Sequence, residues 1–139
     1  ERERASPVVQ SVLEVARRRG RILVVDDEAS LGEVIQTYLA HHEVRLETTA
    51  VGGRSAFDEP WDVVILDVLL RESSGIDLWR ELKERDAAAA GRVLFVTGGS
   101  LTPEVARFMI DTDNPTLVKP FDFRELVRLV DERVAARDE

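Results

Sequence analysis

Three carboxylates and one amine follow short apolar segments of this sequence. Each charged residue comes directly after a segment of strand length: Asp26 and Asp27 after the first, Asp67 after the second and Lys119 after a later one. In an open α/β sheet the carboxyl ends of parallel strands form the ligand crevice, so these side chains would meet there. Three crowded carboxylates repel one another unless a cation joins them. The pattern therefore predicts a divalent-metal site beside a reactive carboxylate.

The elements that must position these residues alternate between strand and helix from Arg21 onward. The predicted strands are Arg21–Val25, Val44–Thr48, Val63–Leu66, Arg92–Val96 and Thr116–Val118. Every residue of the third strand is apolar, which is typical of a central strand covered on both faces. Five strand-then-helix units predict an α/β fold, a doubly wound parallel sheet with helices on both faces.

The predicted helices are bounded by caps and breakers. They occupy Ala29–Ala40, a shortened second helix at Gly53–Asp58, a third that opens at Gly75, a fourth that starts at Thr102-Pro103 and a fifth capped by Asp122. Pro at the first helical position, preceded by Thr, is a typical helix start, as is Asp at the cap. Ala87–Ala90 is expected to continue or close the third helix because alanine has a high helix propensity.

The first twenty residues differ in character from the rest. Ser6 and Pro7 predict a helix start, apolar residues then recur at helical spacing, and Gly20 favours a stop. We therefore divide the chain into an N-terminal helical segment or linker, residues 1–20, and one domain, residues 21–139. The segment is either a linker from a longer protein or a helix that docks on a partner or a second copy.

Composition excludes several classes of function. The 139 residues suit one domain, and 44% hydrophobic residues are enough to form a core. There is no cysteine, so disulfides and thiolate chemistry are excluded. No apolar run approaches a membrane span, and the charged N-terminus is unlike a signal peptide, which predicts a cytoplasmic protein. A net charge of −8 argues against direct binding to nucleic acid.

Four strand ends carry a recognisable combination of residues. In order they are Asp26-Asp27-Glu28 after Ile22–Val25, then Asp67, then Thr97-Gly98, then Lys119-Pro120-Phe121. In this combination the chain resembles the receiver domain of two-component response regulators, over about residues 21–137, and is most like the receivers attached to hybrid sensor histidine kinases. The resemblance implies a flavodoxin-like fold with strand order 2-1-3-4-5.

The resemblance also implies a Mg²⁺ site. Asp27 resembles the direct metal ligand, and Asp26 resembles the neighbouring carboxylate that commonly acts through water. Asp67 and the backbone carbonyl of Leu69 stand at the positions of the remaining protein ligands. Mg²⁺ prefers oxygen ligands and keeps several waters, so this donor set suits it. Without metal, we expect the pKa of at least one of these carboxyl groups to rise.

The remaining implied roles concern phosphoryl transfer. Asp67 resembles the phosphoacceptor, Thr97 the hydroxyl that meets the phosphoryl group, and Lys119 the lysine that pairs with its oxygens. Carboxylates are known nucleophiles that form acyl phosphates. Phosphoryl transfer otherwise needs positioning and charge neutralisation, which a lysine ammonium and a metal ion provide.

Some positions depart from the family pattern. Thr116 stands where an aromatic side chain commonly swings inward on phosphorylation, so signalling would have to run through Thr97, the following loop and the fourth helix. Leu70 and Arg71 replace a usual methionine and proline, and Arg71 is either plain surface or a contact to the phosphoryl group or a partner. Leu69 and Gly99 occupy the two positions that tune dephosphorylation. Neither residue can orient an attacking water by a side-chain hydrogen bond, which predicts that the acyl phosphate is comparatively long-lived or that its loss depends on a partner.

The function that this resemblance implies is a phosphoacceptor receiver in a two-component phosphorelay, phosphorylated by a histidine kinase or a histidine phosphotransfer domain. It would catalyse its own phosphorylation and slow dephosphorylation, alone or within a larger hybrid kinase. A homodimer could form through the fourth helix, fifth strand and fifth helix, or through the N-terminal helix. Two alternatives stay open: a pseudo-receiver that binds partners without phosphorylation, and an aspartate-nucleophile phosphohydrolase.

Overall fold

The fold is built on a five-stranded parallel sheet. The computed structural model describes residues 6–10, 19–71, 73–99 and 101–137. The strands are β1 (Arg21–Val25), β2 (Glu43–Glu47), β3 (Val63–Asp67), β4 (Val93–Thr97) and β5 (Thr116–Val118). They lie in the order β2-β1-β3-β4-β5, which confirms the predicted flavodoxin-like topology. Every residue of the central strand β3 is buried, as its continuous apolar sequence predicts.

Within the described residues, five main helices cover the two faces of the sheet. They are α1 (Ala29–Tyr38), α2 (Ala50–Ala56), α3 (Gly75–Arg85), α4 (Pro103–Asp111) and α5 (Phe123–Ala136). Successive residues of a strand point to opposite faces, so β1 contributes to two cores. Leu23 packs with the α2–α4 side, including Leu78, whereas Ile22 packs with α1 and α5, including Ile35.

The last two helices begin where the sequence predicts. The Thr102 hydroxyl accepts a hydrogen bond from the Val105 N–H at 3.2 Å, with Pro103 at the first helical position. The Asp122 carboxylate accepts one from the Arg124 N–H at 2.8 Å. Both contacts satisfy amide groups that a helix start leaves without an intrahelical partner.

The second helix is short, as predicted, but its predicted boundaries, Gly53–Asp58, are wrong. It has seven residues and begins at Ala50. The Thr49 hydroxyl accepts a hydrogen bond from the Gly52 N–H at 3.0 Å and so caps the helix earlier than its glycines suggest.

The prediction that Ala87–Ala90 continues or closes the third helix is also wrong. These residues form a separate four-residue helix after Asp86, whose backbone is extended. The Asp86 carboxylate accepts a hydrogen bond from the Ala89 N–H at 3.1 Å, which starts the new turn. A residue that caps a new helix cannot also continue the previous one, so alanine propensity alone misjudged the boundary.

A small hairpin follows β3 that the sequence did not predict. Leu69–Leu70 pairs antiparallel with Ser73–Ser74. The Ser74 hydroxyl then caps α3 by accepting a hydrogen bond from the Asp77 N–H at 3.3 Å. The segment directly after Asp67 is therefore a closed turn tied to the start of α3.

The N-terminal segment is described only in part. Residues 7–10 are helical, and the Ser6 hydroxyl accepts a hydrogen bond from the Val9 N–H at 3.2 Å, as expected of a helix cap. The rest of the predicted helix, residues 11–18, lies outside the described residues. None of the helices within the described ranges combines the length and apolar character that crossing a bilayer requires.

Candidate functional site

The structure gathers the predicted acidic residues and the lysine at one edge of the sheet. Asp67 is the last residue of β3, and Asp26 and Asp27 come directly after β1, the neighbouring strand. Lys119 follows β5 and reaches back across β4 to the carboxylates. All four side chains therefore meet where the parallel strands end, as the sequence predicts.

Lys119 is the cation at the centre of this cluster. Its Nζ lies 3.0 Å from Asp26 Oδ2 and 3.1 Å from Asp67 Oδ2. Glu28 Oε1 lies 3.7 Å away at the exposed rim. Burial by itself would lower the pKa of the Lys119 ammonium, but its contacts with Asp26 and Asp67 outweigh burial and raise it. Lys119 therefore stays charged at neutral pH.

Asp67 is held in a buried, strongly perturbed environment. Its residue surface is only 4% exposed. Burial is the main cause that raises the pKa of its carboxyl group, and the nearby Asp26 carboxylate adds to the rise. The Leu69 N–H and Lys119 oppose the shift without cancelling it. The direction agrees with the expectation that crowding raises the pKa of at least one carboxyl group.

Backbone amides fix the orientation of the two buried carboxylates. The Leu69 N–H donates to Asp67 Oδ1 at 2.9 Å, and the Glu28 N–H donates to Asp26 Oδ1 at 2.8 Å. Asp67 therefore has one oxygen bonded to the backbone, while the other faces Lys119. This leaves the carboxylates little rotational freedom and keeps their oxygens directed at a common point.

Oxygen atoms of three carboxylates converge closely enough to share a cation. One oxygen from each of Asp26, Asp27 and Asp67 lies within 4.8 Å of the others. This donor set is chemically suited to Mg²⁺, a hard ion that binds carboxylate oxygens and retains waters. Leu69 follows in the adjacent hairpin, and the role of its carbonyl as a further ligand stays a prediction.

The Thr97 hydroxyl is an unsatisfied polar group beside the site. Thr97 ends β4 and is 1% exposed, and its Oγ1 has no hydrogen-bond partner among the described residues. A buried hydroxyl without a partner costs free energy, about 1–3 kcal/mol. Such groups are rare in native proteins, and the Thr97 hydroxyl is therefore suited to donate a hydrogen bond to an incoming acceptor.

Gly75 allows the end of β3 and the start of α3 to approach closely. Its N–H donates to the Val68 carbonyl at 2.9 Å. A β-carbon at Gly75 would lie 2.0 Å from the Asp67 backbone oxygen, a distance that no side chain can occupy. The short approach positions the backbone that carries Asp67 and Leu69, which explains why glycine stands here.

Two open cavities flank the acidic cluster. One, of about 430 Å³, is lined by Asp27, residues of the β2–α2 turn and α2, and the hairpin residues Leu70, Arg71 and Ser73. Arg71 makes no hydrogen bond or ion pair within the described ranges, so its guanidinium is available to an incoming anion. The other, of about 410 Å³, is lined by Glu28, Leu31, Lys119, Pro120, Phe121 and Phe123.

Sequence reasoning missed some of these features. No role was predicted for Glu28, although its place directly after the acidic pair indicates that it can reach Lys119. The cis peptide bond between Lys119 and Pro120 was not predicted either. The packing of α4 could not be read from its pattern: the structure describes all nine of its residues, and none of them is fully buried.

Fold and site together define a doubly wound α/β domain with an oxygen-rich acidic site at the carboxyl edge of its sheet. The chain matches the family model of the response regulator receiver domain over residues 22–131. That match covers most of the chain, which therefore belongs to the response regulator receiver domain family, a family of two-component signal transduction.

Similar proteins agree with this assignment. The chain is 28% identical to the transcriptional regulatory protein ResD of Bacillus subtilis, with 77% of this chain and 45% of ResD covered. It is 29% identical to the response regulator ArlR of Staphylococcus epidermidis, with 76% and 48% covered. The chain thus spans about half the length of these curated relatives. The crystal structure of a response regulator receiver domain protein from Clostridium thermocellum superposes with a TM-score of 0.73 at 27% identity, covering 86% of this chain and 97% of that one.

Proposed function

We propose that the chain accepts a phosphoryl group on Asp67 from a histidine kinase or a histidine phosphotransfer domain, and that the resulting change of conformation controls signalling. The observation that carries the proposal is the environment of Asp67. Its buried carboxylate lies 3.1 Å from the Lys119 ammonium. Asp67 is the last residue of β3, and Thr97 is the last residue of the neighbouring strand β4. The buried Thr97 hydroxyl has no partner among the described residues.

The proposed reaction transfers one phosphoryl group between two side chains. An oxygen of Asp67 attacks phosphorus, a new O–P bond forms, and the P–N bond to the donor histidine breaks. The electron pair of that bond returns to the imidazole, which leaves and keeps or takes up a proton according to pH. Lys119 neutralises charge on the transferred oxygens, and the Thr97 hydroxyl gains the acceptor that it lacks. These are the positioning and electrostatic contributions that phosphoryl transfer requires.

The residues at the site fit a Mg²⁺ ion. Asp26, Asp27 and Asp67 would hold it, with the Leu69 carbonyl as a further ligand. When bound, the ion would offset the charge of the carboxylates and of the phosphoryl oxygens. The Lys119 ammonium also offsets the charge of Asp26 and Asp67, through its contacts with their carboxylates.

The cavity beside Lys119 supports docking of a phosphodonor protein. Apolar side chains from α1 and from the loop after Lys119 line it, including Leu31, Phe121 and Phe123. The half-exposed Tyr38 ring of α1 stacks on the Phe123 ring with centroids 4.7 Å apart, which extends this apolar surface. An apolar surface next to a charged site is suited to holding a partner while its histidine reaches Asp67.

The wider context is part of the proposal. Residues 1–20 would form a linker or docking helix, and residues 21–139 the receiver domain, acting in the cytoplasm either alone or within a hybrid histidine kinase. Dimerisation through α4, β5 and α5, or through the N-terminal helix, stays a prediction.

The proposal is tested by incubating the chain with Mg²⁺ and a small phosphodonor such as phosphoramidate, and by recording its intact mass. One phosphoryl adduct that EDTA prevents is the expected result. Multiple turnover of phosphate esters without an adduct would favour a phosphohydrolase instead. No adduct together with no Mg²⁺ binding by calorimetry would favour a pseudo-receiver.

The phosphoryl group on this chain is expected to be long-lived. The Leu69 side chain is apolar and 40% exposed, and a β-carbon at Gly99 would meet no described atom within 4 Å, so neither position presents a group that orients water. Leu69→Asn, which adds a hydrogen-bonding side chain, should speed phosphate release about tenfold. Leu101→Asn, a similar change at an exposed loop position, is the control. Rapid release by the unmodified chain that Leu69→Asn leaves unchanged would contradict this expectation.

The change of conformation is proposed to run through α4, because Thr116 supplies no aromatic switch. Phe108 of α4 packs edge-on against Phe95 of β4 and Trp79 of α3, with ring centroids 5.3 and 5.4 Å apart. α4 is only partly buried along its length, so it can shift at low cost. In the loop between β4 and α4, Gly99 has a φ of 75°, a backbone conformation that favours glycine.

Trp79 should therefore report phosphorylation by its fluorescence. In the Trp61→Phe variant, where Trp79 is the single tryptophan, phosphorylation should change the emission because Phe108 moves relative to the indole. In the matched Trp79→Phe variant the remaining Trp61, whose Nε1 donates to the Ala56 carbonyl at 2.7 Å, should show no change. Equal responses from both variants, or none from either despite a full adduct, would exclude this route.

A further inference from the structure

A buried histidine ties the start of β1 to the rest of the domain, at the end of the sheet opposite the acidic cluster. His42 Nδ1 accepts a hydrogen bond from the Gly20 N–H at 2.8 Å. His42 Nε2 lies 2.7 Å from Asp131 Oδ1 of α5. The His42 side chain is 1% exposed, so its imidazole makes these two hydrogen bonds in a buried environment.

The two partners define the protonation state of His42. A backbone N–H can only donate, so Nδ1 must carry a lone pair rather than a proton. An Asp131 carboxylate accepts, so Nε2 carries the proton. The imidazole is therefore neutral and in one tautomer. Adding a second proton at Nδ1 would set two donors against each other 2.8 Å apart and break the contact with Gly20.

Gly20 is a tightly packed junction. Its carbonyl accepts a hydrogen bond from the Glu43 N–H at 2.9 Å. A β-carbon on Gly20 would lie 2.6 Å from Val134 Cγ2 of α5. The neighbouring Arg19 carbonyl accepts a hydrogen bond from Arg137 Nη1 at 3.1 Å. Several contacts with β2, α5 and the residue after α5 therefore hold Arg19 and Gly20 at this junction.

We propose that His42 is a pH-dependent latch, which holds the junction at Gly20 while its imidazole is neutral and releases it when Nδ1 is protonated. The Gly20 N–H would then stay bound to His42 Nδ1 at neutral pH and lose that contact on acidification. This inference does not depend on phosphorylation of Asp67.

The charges around His42 oppose its protonation on balance. His41 shares Asp131 Oδ1 at 2.8 Å, with its ring centroid 4.2 Å from that of His42, and Arg137 lies nearby, paired with Asp62. Burial is the main cause that lowers the pKa of His42, and His41 and Arg137 add to it, while Asp131 acts against it. A lowered pKa means that the opened state binds the proton more readily, so the closed latch loses stability as pH falls below about 6.5.

The same three side chains could be taken for a metal site, since one ligand atom from each of His41, His42 and Asp131 lies within 4.8 Å of the others. A metal on His42 Nε2 would require the proton to move to Nδ1, where the Gly20 N–H already donates. Metal binding there would break the same contact that holds the junction, so the closed structure favours the latch.

The latch is tested by nitrogen NMR on the whole labelled chain. The expected result at pH 7.5 is a neutral His42 ring with the proton on Nε2. Hydrogen exchange of the Gly20 amide, corrected for its intrinsic pH dependence, should lose protection by up to about tenfold per pH unit below about 6.5. The Ile65 amide in β3 should stay protected throughout, which separates local opening from unfolding.

Two substitutions serve as controls. In His42→Asn the side-chain oxygen can still accept from Gly20 but does not titrate, so protection of Gly20 should become independent of pH. His41→Asn removes the neighbouring imidazole and should leave the response in place. If His42→Asn does not fold, the ring tautomer and the Gly20 exchange of the unmodified chain still decide. Unchanged protection of Gly20 between pH 7.5 and 5, a proton on Nδ1 at pH 7.5, or parallel loss at Ile65 would overturn the latch.

Discussion

Asp67→Asn is expected to abolish the phosphoryl adduct entirely. An amide of the same size keeps the hydrogen bond that the Leu69 N–H donates to Oδ1, so the loop geometry should persist. A neutral amide is not a nucleophile toward phosphorus, which removes the chemistry rather than the structure. The measurement is the intact mass after incubation with Mg²⁺ and phosphoramidate, over a time in which the unmodified chain is fully phosphorylated.

Asp77→Asn is the matched control for this substitution. Asp77 is an exposed aspartate in the first turn of α3, and its carboxylate is 3.3 Å from Arg80 Nη1, away from the acidic cluster. Phosphorylation of the Asp77 variant should proceed as in the unmodified chain. An adduct that survives Asp67→Asn would place the phosphoacceptor elsewhere and overturn the proposed role of Asp67.

The same substitution should stabilise the fold at neutral pH in EDTA. The pKa of Asp67 is raised above its usual value near 3.8, mainly by burial. Such a carboxyl group supports the fold while it is protonated and loses that contribution as pH rises through the folded-state pKa. Asp67→Asn removes the buried charge, so the urea midpoint of the variant should exceed that of the unmodified chain at pH 7. This difference in midpoint should be larger at pH 7 than at pH 4. A smaller difference at pH 7 than at pH 4 would contradict this sign.

Gly75→Ala is expected to be the most damaging small substitution in the domain. The new β-carbon would lie 2.0 Å from the Asp67 backbone oxygen and 2.8 Å from the Val68 Cα. Backbone atoms cannot move aside as a flexible side chain can, so β3 and α3 must separate. Overpacking of this kind costs about 1–3 kcal/mol, and the backbone contact favours the upper end. The free energy of unfolding in urea measures it.

Gly91→Ala provides the comparison for Gly75→Ala. A β-carbon at Gly91 would be 3.4 Å from the Ala88 carbonyl oxygen, and its φ of −67° suits any residue. This variant should differ from the unmodified chain by less than about 0.5 kcal/mol, or be slightly more stable. Gly75→Ala should also slow phosphorylation, because the carbonyl of Asp67 and the loop that holds Leu69 are displaced. Equal stability of the two variants would show that the fold does not depend on the close approach of Gly75 to the backbone of Asp67 and Val68.

Much of the fold could be predicted because its signals are local. The apolar run of β3 and the caps at Thr102 and Asp122 each depend on a few adjacent residues, and the structure confirms them. The predicted start of α2 is too late, because the Thr49 hydroxyl caps the helix ahead of two glycines that by themselves disfavour a helix. The break after α3 was missed because the Asp86 cap outweighs the helix propensity of four alanines.

The sequence by itself determined which residues stand at the strand ends and in what order. In a doubly wound parallel sheet every strand ends at the same edge, so that order alone predicts that Asp26, Asp27, Asp67 and Lys119 meet there. The tertiary structure decided how they meet: the lysine bridging two buried carboxylates, the unpartnered Thr97 hydroxyl, and the contact of His42 with Gly20. These depend on burial and on distances between residues far apart in the chain, which no local pattern of side chains records.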